Sequence, residues 1–276
     1  MAVAPARPAS TVVLIRPSKA RFEVFLVRRH DNVAFMGGAH VFPGGRVDAA
    51  DRIEQPQRIC DGVAEAAARM PDLPETEAVA YHVAAIRELF EEAGVLLARP
   101  FDAERVRPFR QDVASGALTL EQLATREGLR LALDELVLFA HWVTPAIEIK
   151  RFDTRFFVAR LPEGADPVHD NGETTHSEWM DPEDAVERCR RNDIALPPPT
   201  WTTLRTLEKL TSVDEAIAWA RARQLVRIEP GFISNEEVTM LTLPGDPTFP
   251  PVEGFETPEE TRFILTDGRW RASASR

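Results

Sequence analysis

Apolar and polar positions along the chain alternate in some stretches and recur at helical spacing in others. "STVVLIRPS" (10–18) and "RFEVFLVRRH" (21–30) are β-rich runs separated by a short polar break, the signature of a hairpin. "DNVAFMGGAHVFPGGRVD" (31–48), with two glycine pairs and a proline, is expected as a loop around a short strand near His40–Phe42. "ELVLFAHWVTP", "RFDTRFFVARLP" and "EWM" are expected as strands. Helices are expected near "GVAEAAARM", over Glu77 to Ala93, at "FDAERVRPFRQDVASG" and at "TLEQLATREG". Others are expected after Asp181-Pro182 and at "PPPTWTTLRTLEKL" and "SVDEAIAWARAR". The tail from Val226 alternates short strand-like runs with turns, and Asp267-Gly268 marks a last hairpin.

The most informative stretch is "RELFEEAGV", Arg87 to Val95. On a wheel of about 100° per residue with Glu88 at zero, Glu92 lies near about 40° and Glu91 near about 300°. Val79, Val83, Ile86, Phe90 and Ala93 fall within about 40° of the opposite side. The apolar stripe pins the helix and holds three carboxylates away from it, and Gly94 is the stop. Such a face is either solvated charge or a set of hard oxygen ligands for a divalent cation. Isolated spacing does not choose between them.

Composition narrows the classes. The 276 residues carry 44% hydrophobic side chains and a formal net charge of −11. That balance builds a globular core and argues against nucleic acid or an anionic membrane as partner. It also requires cations or a local basic patch if the substrate is a phosphate. Cys60 and Cys189 lie far apart outside any CxxC pattern, so a reduced, cytoplasmic setting is expected. No apolar run is long enough to cross a bilayer, and the final "ASR" is not a Ser-Lys-Leu address.

"RELFEEAGV" matches the Arg-Glu-apolar-x-Glu-Glu-x-Gly-apolar core of the Nudix box. "FPGGRVDAAD" is similar to the Pro-Gly-Gly turn that enters it. The chain therefore resembles the Nudix hydrolases. The resemblance implies an α+β fold, a mixed sheet in an α/β/α sandwich, and Mg²⁺- or Mn²⁺-dependent cleavage of a diphosphate linkage in a nucleoside diphosphate joined to another group. It also implies that Glu88, Glu91, Glu92 and the backbone carbonyl of Gly45 hold the metal, with Glu88 as base or ligand.

The box is split. Gly45 and the next five residues reach Asp51, and Arg87 follows roughly three dozen residues later, far beyond a short connection. The acid paired with Arg87 is then Asp51, Asp48 or Glu77. "GGAHVFPGGRVDAAD", "RFDTRFF" and "LPPPTW" are similar to a split-box branch that contains the peroxisomal coenzyme A diphosphatase. The implied substrate is CoA or an acyl-CoA. ADP-ribose or NADH stands as the alternative within this chemistry, and a non-catalytic ligand-sensing domain as the alternative outside it. Glu173, with Glu178 behind it, is the candidate for a further acid. Arg28, Arg29 and Arg155 are candidates for phosphate oxygens. His169 and His176 read as loop polar groups, and Phe35, Phe42 and Trp142 as core.

The expected organisation is a loose tail (1–9), a catalytic domain (10–200) whose insertion (about 46–76) forms a cap, and an extension (201–276). The extension either packs on the domain or makes contacts in a homodimer.

Overall fold

The computed structural model describes residues 3–31, 37–170, 172 and 174–274. The expected first hairpin forms from β1 (Arg7–Pro17) and β2 (Phe22–Arg29), antiparallel with Ile15 opposite Val24. β1 begins inside the stretch expected as a loose tail, because Arg7 to Ile15 pair in parallel with a later strand. Short strands β3 (His40–Val41) and β4 (Gly44–Arg46) follow. Next come β5 (Cys60–Asp61), α1 (Val63–Arg69) and the long α2 (Glu75–Ala93).

After β6 (Ala98–Arg99), the region expected as one helix is broken into α3 (Ala103–Val106), a 3-10 turn at Arg107–Phe109 and α4 (Arg110–Ala114). Pro108 has no N–H to continue an α ladder. α5 (Leu120–Glu127) carries a Thr119/Gln122 capping box and leads to β7 (Arg130–Ala132). The strands β8 (Val137–Val143), β9 (Phe152–Arg160) and β10 (Thr174–Met180) follow, then α6 (Pro182–Arg190), α7 (Pro198–Leu207) and α8 (Val213–Ala222). The tail supplies β11 (Arg227–Ile228), β12 (Gly231–Ser234), β13 (Thr239–Thr242), β14 (Arg262–Thr266) and β15 (Arg269–Ser273). Asp267 and Gly268 both take positive φ in the final hairpin.

The main sheet runs β10-β2-β1-β9-β8-β11, with β3 on β2 and β4 on β1. Its pleat separates two cores. Val12 and Leu14 face α1, α2 and α5, whereas Val13 and Ile15 face α6, α7 and α8. The sandwich expected from the family resemblance is therefore present, with the sheet as its middle layer.

The insertion is not a cap. Its strand β5 pairs in parallel with β7, which pairs with β6, and α1 buries Val63 and Ala66 in the core behind α2. Burying a side chain such as Val63 supplies about 1.5 kcal/mol or more and an alanine methyl such as Ala66 less, which favours this place for the segment. The extension packs on the domain: β11 adds to β8, and Leu241, Leu243 and Phe263 are buried with the helices of the second face.

Candidate active site

α2 behaves as its periodicity dictates. Val79, Val83, Ile86, Phe90 and Ala93 are wholly buried, and Gly94 closes the helix at φ 73° with its N–H on the Phe90 carbonyl. The glutamate face turns toward β4. A Cβ on Gly45 would sit 2.4 Å from Oε1 of Glu88, and one on Gly44 would sit 2.3 Å from the Ser10 carbonyl. Only glycine lets the strand approach this closely. The Gly44 N–H then donates to Oε2 of Glu92 at 3.0 Å.

Arg87 is the centre of the ion-pair network. Its Nε and Nη2 donate to the two oxygens of Asp51 at 2.9 and 3.0 Å, and Nη2 also donates to the Arg46 carbonyl at 2.7 Å. Nη1 reaches Oε1 of Glu88 at 2.8 Å and Oε2 of Glu91 at 3.2 Å. Of the three acids open in the sequence, Asp51 takes the bidentate place and is buried. Asp48 lies 3.9 Å away, and Glu77 binds Arg52 instead. The box is thus rejoined across its insertion by one ion pair.

The glutamates are not a solvated face. Burial pushes the Glu88 carboxyl up to about 7, with the Arg87 charge opposing and the Glu91 charge reinforcing. Burial raises Glu91 as well, again against Arg87. Crowded hard oxygens of this kind fit Mg²⁺ or Mn²⁺, since a divalent cation relieves the excess negative charge that Arg87 alone leaves. Among the described residues no three acidic, histidine or cysteine groups already converge on one point, because Arg87 lies between Glu88 and Glu91.

These side chains form one end of a cleft of about 640 Å³. Arg29 lines it, and its Nε is buried without a partner. Arg46 and Lys150 line it too; sequence reasoning missed both, since neither sits in a patterned run. Asp170 faces the cleft from the loop before β10, held by the Thr174 N–H at 3.1 Å and the Thr174 hydroxyl at 2.6 Å. The far wall is apolar, with Trp142, Phe152 and Phe156 from the sheet, Phe42 from the loop after β3, and Pro230 and Leu241 from the extension. Phe42 and Trp142 are core residues as expected, 2% and 6% exposed, yet their buried faces form this wall.

Several expectations need correction. Arg155 is on the opposite face of β9 from Phe152, Thr154 and Phe156. It donates to Asp153 at 2.7 Å and lies over the Tyr81 ring, so it does not reach the cleft. Arg28 pairs with Asp31 at 2.6 Å and is not part of the cleft wall. Glu178 is held by Arg188 at 2.7 Å, on the β10–α6 side, and supports the fold. Glu173 and Phe35 lie outside the described residues.

A carboxylate helix locked to a Gly-Gly strand, at the edge of a mixed sheet between two helical layers, defines a Nudix hydrolase. The chain belongs to the NUDT19 Nudix domain family, whose model matches residues 53–207, more than half its length. It is 31% identical to the human protein named acyl-coenzyme A diphosphatase NUDT19, over 95% of this chain and 83% of that one. The Xenopus laevis protein of the same name is 28% identical, over 83% and 72% of the two chains. The crystal structure of a NUDIX hydrolase from Alicyclobacillus acidocaldarius superposes with a TM-score of 0.65 at 26% identity, covering 79% of this chain and 97% of that one. Among the described residues no helix is long and apolar enough to cross a membrane.

Proposed function

We propose that this Nudix hydrolase cleaves the diphosphate linkage of CoA or an acyl-CoA, giving 3′,5′-ADP and phosphopantetheine or its acyl form, with Mg²⁺ or Mn²⁺ as cofactor. The observation that carries the reading is the single cleft joining the carboxylate wall to an apolar wall, in a chain aligned along most of its length with a relative named for that activity.

Glu88, Glu91, Glu92 and the Gly45 carbonyl would hold the metal. When bound, it supplies charge neutralisation at the phosphates and acidifies the attacking water. Arg87 keeps the Glu88 and Glu91 carboxylates in register, and the Gly44 N–H orients Glu92. Arg29 and Arg46 offer guanidinium forks for phosphate oxygens at the cleft. Asp170, held by Thr174, is the loop acid placed to take a proton, the role expected of Glu173. A cytoplasmic setting is part of the same reading. It fits two free cysteines, Cys60 being buried with its thiol pushed up to about 12 by that burial.

The test is a panel of CoA, acyl-CoAs, ADP-ribose and NADH with Mg²⁺ or Mn²⁺, products resolved by mass. Release of 3′,5′-ADP from CoA is the expected result. Turnover of ADP-ribose or NADH alone would transfer the assignment to dinucleotides, and no turnover at all would leave a ligand-sensing domain.

A further inference from the structure

The aromatic wall of the cleft carries a cation of its own. β4, β1, β9 and β8 are neighbours in the sheet, and Arg46, Ala9, Thr154 and Trp142 form one row across them. Three interstrand steps separate the Gly44–Gly45 turn from Trp142, roughly 14 Å at the usual strand spacing. That is the reach of a nucleoside laid across the sheet from a diphosphate at the carboxylate end. Phe152, half-buried, lines this side of the cleft beside Trp142 and Phe156, which are each 6% exposed, and aromatic rings of this kind are what a purine stacks on.

Lys150 stands at the rim of this wall. No acid is paired with its ammonium among the described residues. The two residues that follow it are anchored. The Arg151 guanidinium is buried and donates to the Thr144 carbonyl at 3.0 Å, the Ala4 carbonyl at 2.9 Å and Glu229 at 2.7 Å. The Phe152 N–H donates to the Thr144 hydroxyl at 3.0 Å, closing the base of the loop. Ile147 and Ile149 are 62% and 90% exposed; Lys150, the next residue, is exposed too and also lines the cleft.

An aromatic surface with an exposed cation that has no acidic partner at its edge is the chemistry that recognises a phosphorylated nucleoside, not an uncharged aliphatic arm. We infer that Lys150 binds the 3′-phosphate of the adenosine half of CoA, with Trp142 and Phe152 against the base. Lys150 is then a specificity residue that separates CoA from dinucleotides lacking that phosphate. The inference rests on the CoA reading and names the group of the substrate that decides selection.

The test is a matched pair, CoA and 3′-dephospho-CoA, assayed on the wild type, Lys150→Ala and Lys150→Arg. The wild type is expected to prefer CoA by about tenfold in kcat/KM, the scale of one charge-assisted contact. Lys150→Ala should abolish the preference by losing activity on CoA alone, and Lys150→Arg should keep most of it. Calorimetric titration gives a readout independent of turnover: 3′,5′-ADP should bind the wild type more tightly than 5′-AMP does, and equally to it in Lys150→Ala. If both substrates fall together in Lys150→Ala, or the wild type cleaves CoA without preferring it, the Lys150 assignment is overturned and the CoA reading stands. If the wild type cleaves neither compound of the pair, both are overturned.

Discussion

The insertion at residues 46–76 and the extension at 201–276 are both additions to the catalytic body, and they act on the cleft in different ways. From the insertion, only Arg46 and Asp48 at its start line the cleft. Its contribution to the site is Asp51, which grips Arg87 and through it Glu88 and Glu91. The rest stays behind α2, where the Arg69 guanidinium ties α1 to the carbonyls of Leu138, Ala220 and Arg223. The extension sends no acid or base into the cleft lining and instead completes its apolar wall through Pro230 and Leu241. One addition steadies the chemistry from the rear; the other shapes what the chemistry is offered. Changes near Asp51 should therefore register in kcat and stability, and changes in the extension in KM.

The largest effect is expected at the end of the cleft that both additions serve. Glu92→Gln keeps the side chain's shape and its Gly44 contact but removes the charge, and should lower kcat by about 1000-fold, some 4 kcal/mol of barrier. The melting temperature should barely move. A variant with full rate would remove Glu92 from the metal set. Next comes Asp51→Asn, which leaves Arg87 without its bidentate partner in a buried place. Loss of about 3 kcal/mol in denaturant unfolding is expected, with kcat reduced. An unchanged midpoint would show that the split box does not depend on this pair. Leu241→Ala should cost about 2 kcal/mol of stability and raise KM for CoA about fivefold, kcat holding within about twofold. If kcat fell instead, the division between support and selection would fail.

How far the sequence discloses this arrangement depends on how local each cause is. The α2 stripe and its carboxylate face follow from one helical period, and the Asp267-Gly268 hairpin from two residues that tolerate positive φ. The partner of Arg87 stayed open among three acids because spacing says nothing of how the 35 residues between Asp51 and Arg87 fold back. Arg155 illustrates a second limit. Strand alternation puts Arg155 and Phe156 on opposite faces, but only the packing of α2, whose Tyr81 ring lies against Arg155, decides which face holds the cleft. Lys150, Asp170 and Leu241 come from loops and a distant strand with no periodic signal. They enter the site through sheet order and the docking of the extension, which are long-range consequences of burial.

The smallest effect expected is also the one that would resolve the two additions by pH. The turn before β14 is built on Asp246, whose carboxylate is buried. It accepts hydrogen bonds from Arg262 Nε at 2.6 Å, the Thr248 N–H at 2.9 Å and the Thr248 hydroxyl at 2.7 Å. Burial alone would raise this carboxyl, but Arg262 and Thr248 outweigh it and bring it down to about 2 from an ordinary 3.8. The sign follows from linkage: the depressed group contributes its stability above the unfolded value of 3.8 and loses it as pH falls through about 2. Acidification from pH 4 to pH 2 should therefore loosen the extension. Amide exchange at 239–266 is expected to rise before exchange in α2 does, because the Leu243 N–H is bonded to the Thr261 carbonyl across this turn. Asp246→Asn should show faster exchange in the same segment already at neutral pH and a shallower response to acid. If α2 and the extension instead open together at every pH, the extension is no separate wall but part of the same cooperative unit as the carboxylate helix, and its effect on KM would not be separable from the chemistry it borders.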